Sequence, residues 1–280
     1  MDKAPDIRNL IVSLERLEFD RAARFDHFQL AVLAAASLLA GASVVIPEGR
    51  VSGIAAISSF ALALAAFWFC YKNRERRDVA EKVRRATLLI DGLGLDLSAA
   101  ELRRYAVLSR ASPDELKAWN KPDYFSSQEK PGVKRALEML EESAFWSSQL
   151  FQASGKTTGA ILVGLSIVLI FCLLFSLSVL GSPRISAEVR VFSSIASSLV
   201  WIELLARTVH YFRAAKDVDE VLLRLETIRA NGYRKDDWIL ALVDYNSAVE
   251  AAPMMFPGVY KRNQDRLNAL WAGRTAAPAP

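Results

Sequence analysis

The chain has 280 residues, of which 52% are apolar and 24% charged, and its mean hydropathy is +0.18, so the two kinds of residue must be segregated along the sequence. Cys70 and Cys172 are the only cysteines, and both sit inside apolar runs, which argues against a disulfide scaffold or a cysteine-based metal site. The net charge of +4 suits the cytoplasmic face of a membrane as well as any nucleic-acid partner.

Residues 1 to 27 carry Ile7, Leu10, Ile11, Leu14, Leu17 and Phe25 at a helical period, with Arg8, Glu15, Arg16, Glu18 and Arg21 between them. This predicts a retained amphipathic helix in the cytoplasm, packed on the membrane surface or on the later domain, with a signal anchor as the alternative. Phe28 to Ile46 and Val51 to Tyr71 are uncharged runs separated by only Pro47, Glu48, Gly49 and Arg50, which predicts a tight transmembrane hairpin over 28–71. Small residues are dense in it (Ala34 to Ala36, Gly41, Ala42, Ala55, Ala56, Ala61, Ala63, Ala65, Ala66), so its helices can approach closely. Trp68 and Tyr71 fall where an interfacial aromatic belt would lie.

Residues 72 to 156 hold 16 Lys or Arg against 13 Asp or Glu, enough polar chain for a small helical insert. Its opening continues the second span into water. Ser98 with Glu101 and Ser112-Pro113-Asp114-Glu115 are helix starts. Trp119, Pro122, Tyr124 and Phe125 mark an aromatic turn, and Val133 to Phe151 runs on towards the next apolar stretch.

Between Lys156 and Arg184 lie 27 residues without a charged side chain, Thr157 to Pro183. The apolar centre, Ile161 to Leu180, is about 30 Å long as a helix, which matches the hydrocarbon thickness of a bilayer and predicts a third span. After a turn at Gly181-Ser182-Pro183, Val189 to Tyr211 is a fourth, less apolar span, closing a second hairpin over 157–211. The tail, 212–280, reads as a helix to about Ala230, a stop at Asn231-Gly232, a helix from Asp236 or Asp237 to Ala252, a helix from Gly258 to Trp271, and a frayed end from Thr275. The insert has 16 Lys or Arg and the tail after Tyr211 has 10, against one or two in each short connecting loop, which places the insert and both termini in the cytoplasm. The fold class expected is therefore an all-α membrane protein: four transmembrane helices in two hairpins, with a helical cytoplasmic region built from the insert and the tail.

Candidate chemistry is sparse. Ser154-Gly155-Lys156-Thr157-Thr158 looks like the end of a phosphate loop, but the motif's first glycine would fall at Leu150 and no strand precedes it. Gly92 and Gly94 lack a third glycine, and His27 and His210 lack partners at metal-ligand spacing. No catalytic constellation stands out, so no enzyme, cofactor or metal is expected. Glu203, set among Leu199 to Ala206, is expensive in lipid and should face protein or water, with Arg207 one turn on as its partner. Ser193, Ala196, Val200, Glu203, Arg207 and His210 share one helix face, and with Ser194 and Ser197 they would give the fourth span a pore-capable polar stripe. The alternative is an interfacial Glu203 that pairs with Arg207 for structural reasons.

Lys72, Arg74, Arg76 and Arg77 follow a span directly and suit anionic head groups. Arg103-Arg104, Lys134-Arg135, Arg234-Lys235 and Lys261-Arg262 are pairs that ordinarily mark solvated faces. Were the cytoplasmic helices to fold around an anionic ligand, those pairs with Trp119, Tyr124 and Tyr260 would supply charge and stacking surface.

The tail carries Asp244-Tyr245-Asn246, Pro253, Pro257, Tyr260-Lys261-Arg262, Arg266-Leu267-Asn268 and Trp271. This resembles the closing motif of a bacterial family of four-span, SMODS-associated pore-forming effectors, encoded beside cyclic-oligonucleotide synthetases in antiphage operons of the CBASS type. The span layout is similar over nearly the whole chain. The resemblance implies an effector that senses a cyclic di- or trinucleotide through its cytoplasmic region, oligomerises with copies of itself and disrupts the inner membrane, with no DNA or RNA polymer as partner. Competing classes are a membrane-anchored interaction protein and a small transporter.

Overall fold

A computed structural model describes residues 7–46, 49–120, 124–179, 187–231 and 237–276, with side chains described outside 44–45, 169–199 and 276. The described residues are helical, with no strand among them. They form α1 (Ile7–Val45), α2 (Arg50–Thr87), α3 (Ala99–Ser109), α4 (Pro113–Ala118), α5 (Val133–Val179), α6 (Ala187–Ala230), α7 (Asp237–Ala251) and α8 (Val259–Ala276). A π-helical turn at Leu88–Gly92 ends α2.

Most of the expected boundaries hold, for local chemical reasons. The Ser98 hydroxyl accepts the Glu101 amide, and Ser112 and Glu115 close a reciprocal capping box behind Pro113. Two boundaries differ from those expected. The amphipathic N-terminal segment, expected to pack on the membrane surface or on the later domain, runs unbroken into the first apolar stretch as α1 and packs against α2 and α4, because no proline lies between Ile7 and Val45 and the one glycine, Gly41, comes only near the helix's far end. The last helix, expected to end at Trp271, continues to Ala276, with the Thr275 hydroxyl bonded to the Trp271 and Ala272 carbonyls, while the rest of the end expected to fray, 277–280, lies outside the described residues. The turn expected at Gly181 to Pro183 lies outside the described residues.

α1 packs along α2 and α5 along α6, and α1 crosses to α6, so the four long helices form one bundle. Among the described residues, two helices are long and apolar enough to cross a membrane: α1 over Ile7–Ser43, and α2 with the π turn as far as Gly92.

The bundle's two ends are built from different materials. At the polar end, Leu140, Leu150, Val218, Leu225 and Leu267 form a core against α7 and α8, and Ile11, Leu14, Val79 and Val83 form a second between α1 and α2. At the apolar end of α1 and α2 the seam is made of small side chains: Ala36, Ala40 and Ser43 on one helix, Ser52, Ala55, Ser59, Ala63 and Ala66 on the other, all buried. The Ser59 hydroxyl reaches across to the Ala36 carbonyl at 2.8 Å. The large apolar side chains of these helices point outwards; Leu38 is 75% exposed and Ile57 72%.

Candidate functional site

Where the polar and apolar parts of the bundle meet, one arginine ties three helices together. Arg207 on α6 donates from Nη1 and Nη2 to both oxygens of Asp26 on α1, at 2.8 and 2.7 Å, and from Nε to Glu203 at 2.7 Å. Asn73 on α2 donates to Asp26 at 3.0 Å, and the Gln29 amide approaches Glu203 at 3.5 Å. The Arg207 and Asp26 side chains are 6% and 3% exposed, whereas Glu203 is 34% exposed. The expected Glu203–Arg207 pair is therefore present as the outer half of a larger knot whose buried half is Asp26. The guanidinium is directed into the chain's own interior, against α1, and this part of the expected stripe is closed by the first helix. Ser193, Ser194 and Ser197 lie where side chains are not described.

The phosphate-loop look-alike has a structural role. Ser154 to Thr158 lies in the middle of α5, where Ser154 and Thr158 are fully buried against α6. The Thr208 hydroxyl bonds Thr158 at 2.9 Å, and a Cβ on Gly155 would stand 3.2 Å from the Phe212 ring. Gly155 and Gly159 are spaced as a close-approach pair, a signal readable in the sequence that our reading of this stretch as a failed nucleotide motif passed over.

In the polar region a half-open cavity of about 840 Å³ lies between the segment Ser126 to Lys130, α5, and the C-terminal turns of α6 and α8. Lys130, Arg229 and Arg274 face Glu129, Glu138 and Glu141 across it. Arg229 holds Glu141 at 3.2 Å, and Arg274 approaches the same carboxylate at 3.6 Å while pairing with Glu226. Trp271 closes one wall, its indole donating to Ser126 at 3.0 Å and its ring 5.3 Å from Phe145. The size suits a ligand as large as a nucleotide. Its charges are already matched within the wall, so an incoming anion would have to compete with Glu141 for the two guanidinium groups. Sequence reading missed this cavity, because its loop was read only as the end of an aromatic turn.

Comparison with protein-family models, with curated proteins and with solved structures finds no match for this chain. The resemblance to four-span effectors thus rests on the tail motif and the layout of apolar runs.

Much of that motif is engaged in packing. Tyr245 is buried, with its hydroxyl 3.1 Å from Ser147 and the Arg84 guanidinium 5.1 Å from its ring. Burial pushes its phenol above the usual range. Asn246 accepts from Arg84 at 3.0 Å, Asp244 pairs with Arg224 at 2.5 Å, and Leu267 is fully buried. These residues clasp the tail onto α2, α5 and α6.

The other expected ligand residues are placed as follows. Trp119 and Tyr124 flank Arg16, whose guanidinium lies 5.2 and 5.6 Å from their rings and donates to the Trp119 carbonyl. Arg135 is a staple, bonding the Asp91 carboxylate at 2.8 Å and the Ser127 and Glu129 carbonyls, so it fixes the cavity's loop from below. Lys134 pairs with Glu129 at 2.5 Å. Tyr260 lies beside Trp146 at 6.0 Å, while Arg262 folds back on the Gly258 carbonyl and Lys261 is exposed. Arg103 and Arg104 are exposed on α3, bonded to the Ala99 carbonyl and Glu101. Arg234 and Lys235 lie outside the described residues. The structure brings Trp119 and Tyr124 together, and none of the expected ligand residues among the described residues lines the cavity wall. Among the described residues no group of His, Cys, Asp or Glu could hold a metal ion.

Proposed function

We propose that this chain is a four-span effector of the bacterial inner membrane, both termini cytoplasmic, whose helical cytoplasmic region receives a cyclic oligonucleotide and whose spans then permeabilise the bilayer. The observation that carries the membrane half of this reading is the reversed packing of α1 and α2. In water, burying alanine and serine while exposing Leu38, Ile54, Ile57, Leu64 and Phe67 would forfeit most of the apolar area available to stabilise the pair. In lipid the same arrangement is favourable, since helices there associate by close backbone approach and large apolar chains face the acyl phase. Phe25, Phe28, Trp68 and Phe69 cluster at the level where α1 changes from polar to apolar, with ring centroids 5.0 to 6.4 Å apart, as expected of an interfacial belt.

The sensing half is supported by the tail motif, the size of the cavity and the shared helices. α1, α2, α5 and α6 each belong to both ends of the bundle. A ligand that binds one arrangement of the cytoplasmic ends better than another biases the spans by that difference in affinity, and by no more. Protomers associating around their fourth spans would complete a permeable path. The test is dye release from liposomes reconstituted with the full chain, across a panel of cyclic di- and trinucleotides. At least one should raise the release rate several-fold. If none binds and none releases dye, the ligand half fails.

A second reading has one observation in its favour. Ile239, Leu240 and Val243 make an exposed apolar stripe on α7, which would suit a membrane-anchored protein that docks a partner. Ligand-triggered release separates the two.

A further inference from the structure

The second polar cluster of the cytoplasmic end lies between α1, α2 and α7, and it contains a carboxylate without a counter-ion. Glu15 on α1 is 6% exposed, and its Oε2 has no hydrogen-bond partner. Beside it on α2, Glu81 is 5% exposed and takes the nearby cations, Arg84 at 2.8 Å and Arg77 at 3.6 Å. Arg84 is committed further to α7: its Nη2 donates to Asn246 at 3.0 Å, it lies 5.1 Å from the Tyr245 ring, and Glu250 stands at 3.9 Å. Arg77 donates to the Val249 carbonyl at 2.7 Å. On Glu15's own helix, Arg16 turns instead to Trp119 and Tyr124. The neutral hydroxyl of Thr87 lies against Glu15 and can turn its one proton either to the Val83 carbonyl, 3.1 Å away, or to the Glu15 carboxylate when that is charged, and Ile11, Leu14, Val83 and Ile90 pack beside this site. No ion pair to Glu15 occurs among the described residues.

We propose that Glu15 is a proton-operated latch: holding a proton it lets the N-terminal part of α1 close on α2, and losing it leaves an uncompensated charge that loosens this contact. Burial drives its carboxyl up to about 7, with Glu81 adding to the shift and Thr87, Arg84 and Arg16 opposing it. Burial works against the charge on Arg84, but Tyr245, Glu81, Glu15 and Glu250 outweigh it and Arg84 stays protonated. The sign follows from linkage. When the latch opens, Glu15 returns to an ordinary carboxyl that gives up its proton near pH 4.5, so the closed form binds more protons between pH 4.5 and 7. Closure is therefore tightest in acid, weakens as pH rises to 7, and stays weakened above it. α1 continues from Glu15 to Asp26, so the latch and the Arg207 knot share one helix.

The test is hydrogen exchange of the α1 peptide around residues 8–20 in the full detergent-solubilised chain at pH 6 and pH 8, corrected for intrinsic exchange. The opening population of the parent should rise about tenfold between the two. Glu15→Gln, neutral at both, should show no such rise. Thr87→Val, which removes the hydroxyl favouring the charged form, should move the transition to higher pH, and it supplies an independent readout should the glutamine variant fold poorly. An equal rise in the parent and Glu15→Gln would overturn the latch, as would a transition unmoved by Thr87→Val.

Discussion

The polar end of the bundle and its apolar end are made by the same helices under opposite rules. At the polar end, Leu140, Val218 and Leu225 are buried and charges such as those of Arg103 and Lys117 are exposed. At the apolar end of α1 and α2, Ala36, Ser59 and Ala63 are buried and Leu38 and Ile57 are exposed. In the first region stability comes from removing apolar area from water; in the second it comes from how closely two backbones can approach. The Asp26–Arg207 knot sits at the change of regime, where neither rule alone would place a buried charge.

The largest effect should come from breaking that knot. Arg207→Met leaves Asp26 buried without its cation and should cost about 3–5 kcal/mol, read as a fall in the melting temperature of the solubilised protein. Asp26→Asn in the same background should recover part of the loss, because it removes the orphaned charge; a double variant no more stable than the single one would mean that the knot is not electrostatic. Next comes the seam: Ala63→Leu adds volume where α2 meets α1 and should destabilise the pair by about 1–3 kcal/mol. A neutral or stabilising result would show that the small-residue seam is not in close contact. The smallest change should follow Ile57→Ala, at a side chain 72% exposed. Its effect on melting should stay below about 0.5 kcal/mol, as at surface sites generally. A loss of several kcal/mol there would reverse the assignment of inner and outer faces and with it the lipid-facing reading.

How much of this was readable beforehand depends on the range of the interaction involved. Helix starts at Ser98 and Ser112 are short-range events between residues three apart, and so is the stop at Asn231, so periodicity and capping chemistry find them. The continuation of α2 to Thr87 and of α5 through Phe151 follows from an unbroken helical pattern. The Glu203–Arg207 pair lies one turn apart and was legible for the same reason. Asp26 was not, because 181 residues separate it from Arg207 and nothing local marks it as a partner. The cavity is likewise assembled from three distant segments. The tail motif was visible, but much of it packs the tail in place, so the expected ligand residues Tyr260 and Arg262 were drawn from a stretch whose neighbours Tyr245 and Leu267 are core.

The length of α5 carries a mechanical consequence. It has 47 residues without a break, so it is a rod of about 70 Å, and it begins beside the cavity loop that Arg135 pins. A tilt of about 5° imposed at that end, pivoting where Gly155 lets Phe212 come close, would be geared through the rod. Over the roughly 36 Å from Gly155 to the end of α5 at Val179, such an angle corresponds to about 3 Å of sideways travel. A small rearrangement around the loop would then arrive at the far tip as a displacement about as wide as a water molecule.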